Sequence, residues 1–104
     1  MDLSRMMKQA QKMQKDLASA QAALAERPVE ATAGGGKITV TATAAGDVTG
    51  IRIDPSVVDP TDVEMLEDLI LTGVRAALAE GRRVSETEMK KLTSGMGLPP
   101  GMGF

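Results

Sequence analysis

The 104-residue chain has no cysteine, histidine, tryptophan or tyrosine, and its one aromatic is Phe104. Without cysteine or histidine there is no disulfide, no thiolate nucleophile, no imidazole base and no nitrogen- or sulfur-ligated metal site. That composition fits a reducing cytoplasm. The scarcity of aromatics removes the stacking platforms on which single-strand binders and RNA-recognition sheets hold bases. No apolar run approaches the roughly 20 residues of a membrane span, and residues 1–20 lack the apolar core of a signal peptide, so no membrane contact is expected.

Catalytic patterns are missing as well. No serine sits in a nucleophile-elbow sequence and no acid–base constellation is visible, so the chain does not read as an enzyme and implies no small-molecule substrate. Gly34-Gly35-Gly36-Lys37 lacks the spacing of a phosphate-binding loop, and Ile38 stands where that loop needs Ser or Thr. It reads instead as a turn between strands that needs positive φ. The acids between Asp54 and Asp68 show no converging oxygen set for a hard cation, so neither metal nor other cofactor is expected.

What the chain does have is a long amphipathic segment. Leu3, Met6, Ala10, Met13, Leu17, Ala20 and Leu24 recur at gaps of 3 and 4, a heptad seam that predicts a helix over residues 3–26. Asp2 is its candidate cap and Pro28 its stop. Arg5, Lys8, Lys12 and Lys15 repeat two places after seam positions and read as a basic stripe flanking the apolar one. The stripe stops at Lys15, so the helix has a cationic outer half and an Ala-rich inner half.

The middle of the chain predicts an antiparallel meander. Val29, Ala31 and Ala33 alternate with polar residues, as do Ile38, Val40 and Ala42. A third strand runs from Val48 to Asp54, with Ile51 and Ile53 inward and a bulge near Gly50, because Val48 is out of phase with the isoleucines. After Asp54-Pro55 comes one short helical turn. A last long helix then runs from about Thr61 to Thr93, with Thr61 and Glu64 at capping-box spacing. Val63, Leu66, Ile70, Val74, Ala77 and Leu78 form its apolar face. Gly81 is a candidate break, and Ser85 with Glu88 a candidate second cap. Residues 1–93 thus form one α+β domain of order α-β-β-β-α, and residues 94–104, rich in Gly, Met and Pro, are expected to be a mobile tail.

Charge is sorted along this order. The whole chain carries −2, whereas residues 1–15 carry four bases against Asp2, a net of +3. Arg75, Arg82, Arg83, Lys90 and Lys91 make the second half of the last helix net positive too. The first helix enters the sheet by its C-terminal end and the last leaves it by its N-terminal end, so both basic segments are expected far from an acidic base. Phosphates respond to such local fields rather than to chain totals. Arg5, Lys8, Lys12 and Lys15, assisted by Arg82, Arg83, Lys90 and Lys91, are therefore the candidate contacts to duplex DNA backbone. An Ala- and Met-rich core that is thin for a monomer, together with a seam facing water, favours a homodimer. The alternative is an interaction adaptor whose seam recruits a partner helix.

The chain resembles the YbaB/EbfC family of bacterial nucleoid-associated proteins. The likeness rests on Met7-Lys8-Gln9-Ala10-Gln11-Lys12-Met13-Gln14, Ala33-Gly34-Gly35-Gly36-Lys37, Ile53-Asp54-Pro55, Glu64-Met65-Leu66-Glu67-Asp68-Leu69-Ile70 and the Gly/Met/Pro tail, in that order. Val74-Arg75-Ala76-Ala77 departs from the pattern, where a more polar Asn-Asp pair is expected. The resemblance implies a tweezer-like homodimer in the cytoplasmic nucleoid. Its two long helices would be arms that bind duplex DNA with little sequence preference and alter its conformation, influencing gene expression and DNA protection.

Overall fold

A computed structural model describes residues 2–95, with side chains described as far as Thr93. Helix α1 spans Leu3–Glu26 and is followed by strands β1 (Pro28–Ala33), β2 (Ile38–Thr43) and β3 (Val48–Ile53). A 3-10 turn (Pro55–Val57) then leads into helix α2, Val63–Gly95. This is the α-β-β-β-α order expected from the sequence. The expected tail at 94–104 lies almost entirely outside the described residues.

Local chemistry accounts for the boundaries. The Asp2 carboxylate accepts from the amides of Ser4 and Arg5 at 3.1 and 3.3 Å, neutralising two of the free donors at the start of α1. At the other end Arg27, preceding Pro28, turns extended with ψ 114°. The start of α2 is capped by Asp62, which accepts from Met65 N at 3.2 Å, rather than by the expected Thr61–Glu64 box. Asp59 has already taken the Thr61 hydroxyl, at 2.7 Å, so that side chain serves the preceding turn.

The sheet is an antiparallel meander with β2 in the centre. Opposed residues share a face. Val29, Ala42 and Val48 line the inner side, as do Ala31, Val40 and Ile51, and Ala33, Ile38 and Ile53. The register shifts between Thr41 and Ala42, so Gly50 faces Thr41 while Val48 faces Ala42. This is the bulge anticipated near Gly50, and it returns Val48 to the inner face. Gly34, Gly35 and Gly36 all have positive φ, which makes the first turn one that only glycine occupies cheaply.

Helix α2 crosses the inner face as one continuous rod, mainly over β1 and β2. Ile38, Val40 and Ala42 are fully buried beneath it, with Ala77 and Val84 on the helix side. The close approach depends on two helical glycines. A Cβ on Gly73 would stand 3.0 Å from Val40 Cγ2, and one on Gly81 would stand 2.8 Å from the Thr43 carbonyl oxygen. Gly81, the candidate break, is therefore a contact point, and α2 runs through it as the one long helix expected from the sequence. Ser85 and Glu88 correspondingly cap nothing. Alanine in an exposed helix stabilises relative to glycine by about 1 kcal/mol. Gly81→Ala is nonetheless expected to destabilise by about 1–3 kcal/mol, because the new methyl meets backbone that cannot step aside. Urea unfolding with an unchanged slope checks this.

The coverage is uneven, and one expectation fails here. Ile51 lies on the inner face but is 46% exposed, not inward. The helix axis sits over β1 and β2 and leaves the inner side of β3 bare.

Candidate nucleic-acid interface

Helix α1 joins the body only at its foot, through Leu24. Its 24 residues are about 36 Å long, and among its described side chains only Leu24 is buried. The radius of gyration is 19.6 Å, against about 13 Å for a compact chain of this length. The molecule extends 72 × 24 × 17 Å. At the foot of α1 a cleft of about 370 Å³ separates Ala20, Ala23, Leu24 and Arg27 from Glu88, Lys91 and Leu92 of α2. From Leu92 to Gly95, the last described residue, α2 adds about 4.5 Å, and the outer half of α1 stands beyond this described part of α2.

That outer half carries Arg5, Lys8, Lys12 and Lys15, all exposed. Among the described residues no acid pairs with any of the four. A two-residue offset on an α-helix is a rotation of about 200°. The basic row therefore lies opposite the apolar seam, not beside it as the linear pattern suggested. Met6, Met13 and Leu17 on the seam are exposed too. One rod thus presents a cationic face and an apolar face back to back.

The basic residues of α2 have other surroundings. Arg83 makes a bidentate pair with Glu80, Nη2–Oε1 at 2.6 Å and Nε–Oε2 at 3.1 Å. This contact holds the Glu80 carboxyl below its ordinary range and raises the guanidinium. Lys91 lies 3.5 Å from Glu88 Oε1, an oxygen it shares with Arg27 at 3.3 Å. Arg82 borders the β2–β3 turn with Ala44 and Gly46. Lys90 is exposed, with no ion pair among the described residues. These residues stay near the body and the foot of α1, so the two basic segments do not meet at a common tip. The sequence reading overlooked the Arg27–Glu88–Lys91 cluster, which ties the foot of α1 to α2. Residues 61 apart in sequence leave no local signal for such a contact.

Asp54 and Asp59 lie in the turns between β3 and α2. Asp54 accepts from Ser56 N at 2.8 Å and lies 3.6 Å from Lys37 Nζ. The Ser56 hydrogen bond first, and Lys37 after it, lower its pKa. Asp59 is lowered by its bonds to Thr61. Both are turn-forming carboxylates with local partners. Among the described residues no group of acids could hold a metal ion, and no helix is long and apolar enough to cross a membrane.

A three-stranded sheet backed by one helix, with a second helix carrying cations clear of it that have no ion pair among the described residues, defines an α-β-β-β-α protein with a cationic arm. Residues 1–96 match the YbaB/EbfC DNA-binding family, and the chain belongs to that family. It is 51% identical over 104 residues to a nucleoid-associated protein of Akkermansia muciniphila, covering the whole of both chains. To a nucleoid-associated protein of Alkaliphilus metalliredigens it is 51% identical over 98 residues, 94% of this chain and 86% of the other. The fold is shared with the crystal structure of an uncharacterized protein from Helicobacter pylori. There the TM-score is 0.67 at 22% identity, over 92% of this chain and 97% of that one.

Proposed function

We propose that this protein is a nucleoid-associated homodimer that holds duplex DNA by its phosphate backbone, with little sequence preference, and changes the path of the duplex. The reading rests on one observation: four cations with no acidic partner among the described residues share one face of a helix whose outer half stands clear of the body. Arg5, Lys8, Lys12 and Lys15 are the primary phosphate contacts, with Arg82, Lys90 and Lys91 nearer the body as secondary ones. Arg83 is the weakest candidate, because Glu80 already occupies its guanidinium. Lysine and arginine on phosphates fix position without reading bases, and no aromatic is available among the described residues to stack on an unpaired base.

The dimer reading has its own support. Val48 and Ile51 on the inner side of β3, and Val63 and Leu71 on α2, are all exposed apolar side chains. A monomer has no reason to keep such a surface wet. A two-fold copy seated there would cover it and set two arms on one assembly.

Six phosphate contacts per dimer give an expected slope of roughly −5 for log K against log salt, measured by anisotropy on a short duplex. A slope shallower than about −2 would refute backbone binding. The uncovered seam of α1 also favours contact with another helix. A protein partner lost on Met13→Asp or Leu17→Asp, with DNA affinity intact, would make the chain an adaptor instead.

A further inference from the structure

The arm meets the body at one joint. Glu26 is the last helical residue of α1 and Pro28 is already paired with Thr43 in the sheet, so Arg27 alone joins helix to strand. The ring fixes φ of Pro28 and strand pairing fixes its ψ. The two soft dihedrals of Arg27 therefore set the direction of the arm. A turn of about 10° there moves the tip of a rod of about 36 Å by about 6 Å. The backbone of Arg27 is held from both sides: its N–H donates to Leu24 O at 3.2 Å, and its carbonyl accepts from Ala44 N at 3.0 Å. Neither bond keeps the helix from swinging, because both lie at the pivot itself.

Away from the pivot little restrains α1. Among the described side chains of the helix only Leu24 enters the core. Ala20 and Ala23 border the cleft of about 370 Å³ without filling it. The remaining tie is Glu88. Its Oε1 accepts from Arg27 Nη1 at 3.3 Å and from Lys91 Nζ at 3.5 Å. The Lys91 contact stays within α2, three residues along, whereas the Arg27 contact joins two elements. One carboxylate oxygen is thus steadied by its own helix and holds the residue on which α1 turns. DNA binding gives Glu88 no part to play. It stands between Arg82-Arg83 and Lys90-Lys91, where a carboxylate only repels phosphate.

We infer that Glu88 is the positioning residue of the cationic arm: through Arg27 it selects one angle of α1 to the body. The Arg27, Glu88 and Lys91 side chains are 52%, 34% and 69% exposed. Pairs this wet are weak and are screened by salt. The clamp therefore sets a preferred angle that a bound duplex can still shift. The angle itself does not depend on DNA. Its use, fitting the arm to a duplex, rests on the DNA reading above.

The chain has no cysteine, so labels can be placed at will. Spin labels on Gln11→Cys in the arm and Thr32→Cys in β1, both exposed positions, give the arm-to-body distance by pulsed EPR. The full-length protein is measured without DNA, with labelled chain diluted into excess unlabelled chain so that only distances within a chain are read. At low salt the wild type should give one narrow distance. Glu88→Gln and Arg27→Ala should each widen the distribution at least about twofold, as an ensemble does when a selecting contact is lost. The exchanged pair Arg27→Glu/Glu88→Arg should restore the narrow distance, which a general loosening of the fold would not allow. Identical distributions for wild type and Glu88→Gln would overturn the proposal. So would a widening by Lys91→Ala with none by Arg27→Ala, since Glu88 would then act only within α2. On DNA, a short duplex labelled at both ends should report one bend with the wild type and a wider range of bends with Glu88→Gln. A duplex left straight by the wild type would count against the DNA reading, and the DNA-free distances would still decide the clamp.

Discussion

Replacing Lys8, Lys12 and Lys15 together by Glu should weaken binding to a short duplex by on the order of 10³-fold at low salt, or about 4 kcal/mol. The effect is large because each arm then repels the phosphates it held, and a two-armed assembly carries the change twice. All three side chains are exposed, and none has an acidic partner among the described residues. The substitutions break no internal contact, so circular dichroism and the unfolding midpoint should remain near the wild type. The contrast with Arg83→Ala is informative. Arg83 is already paired with Glu80 on its own helix, so its loss should shift DNA affinity by no more than a few fold. An unaltered gel-shift titration for the triple variant would end the arm hypothesis.

Ile51→Glu should convert the assembly to a form of half the mass and cost 10²–10⁴ in apparent DNA affinity, since one arm then binds without the other. In a single subunit Ile51 is 46% exposed and pairs across the sheet with Val40. A carboxylate there can still reach water, so the subunit is expected to fold. In the dimer the same carboxylate would be buried without a partner, which costs several kcal/mol. Sedimentation with circular dichroism separates the outcomes. A folded species of unchanged mass would show that β3 is not the two-fold face.

Both experiments turn on a part of the molecule where sequence and tertiary structure speak differently. The heptad rhythm of α1, its Asp2 cap and its Pro28 stop are local signals, and the helix has the anticipated bounds of Leu3–Glu26. The β-bulge was legible for the same reason. Strand side chains alternate strictly, so Val48 out of step with Ile51 and Ile53 requires one extra residue. Turn glycines, the order of strands and the alternation of β2 were equally readable, because each depends on residues within a few places of one another.

Other features depend on where elements come to rest. Gly81 looked like a weakness in α2, because sequence shows the missing side chain and not the Thr43 carbonyl that fills its place. Ile51 looked buried, because alternation tells which face a residue is on and not whether a helix covers that face. Arg82 and Arg83 looked like tip residues. The length of α2 lying over the sheet keeps Arg82 beside the β2–β3 turn, and Glu80 claims Arg83. By itself the sequence determined the elements, their order, and the crowding of positive charge into residues 5–15. Each follows from neighbours along the chain and from period. Only the packing of α2 on the sheet decided that the outer half of α1 stands clear, that its cations have no acidic partner among the described residues, and that the inner face of β3 lies open. Coverage and charge pairing are relations between distant segments, and no local pattern encodes them.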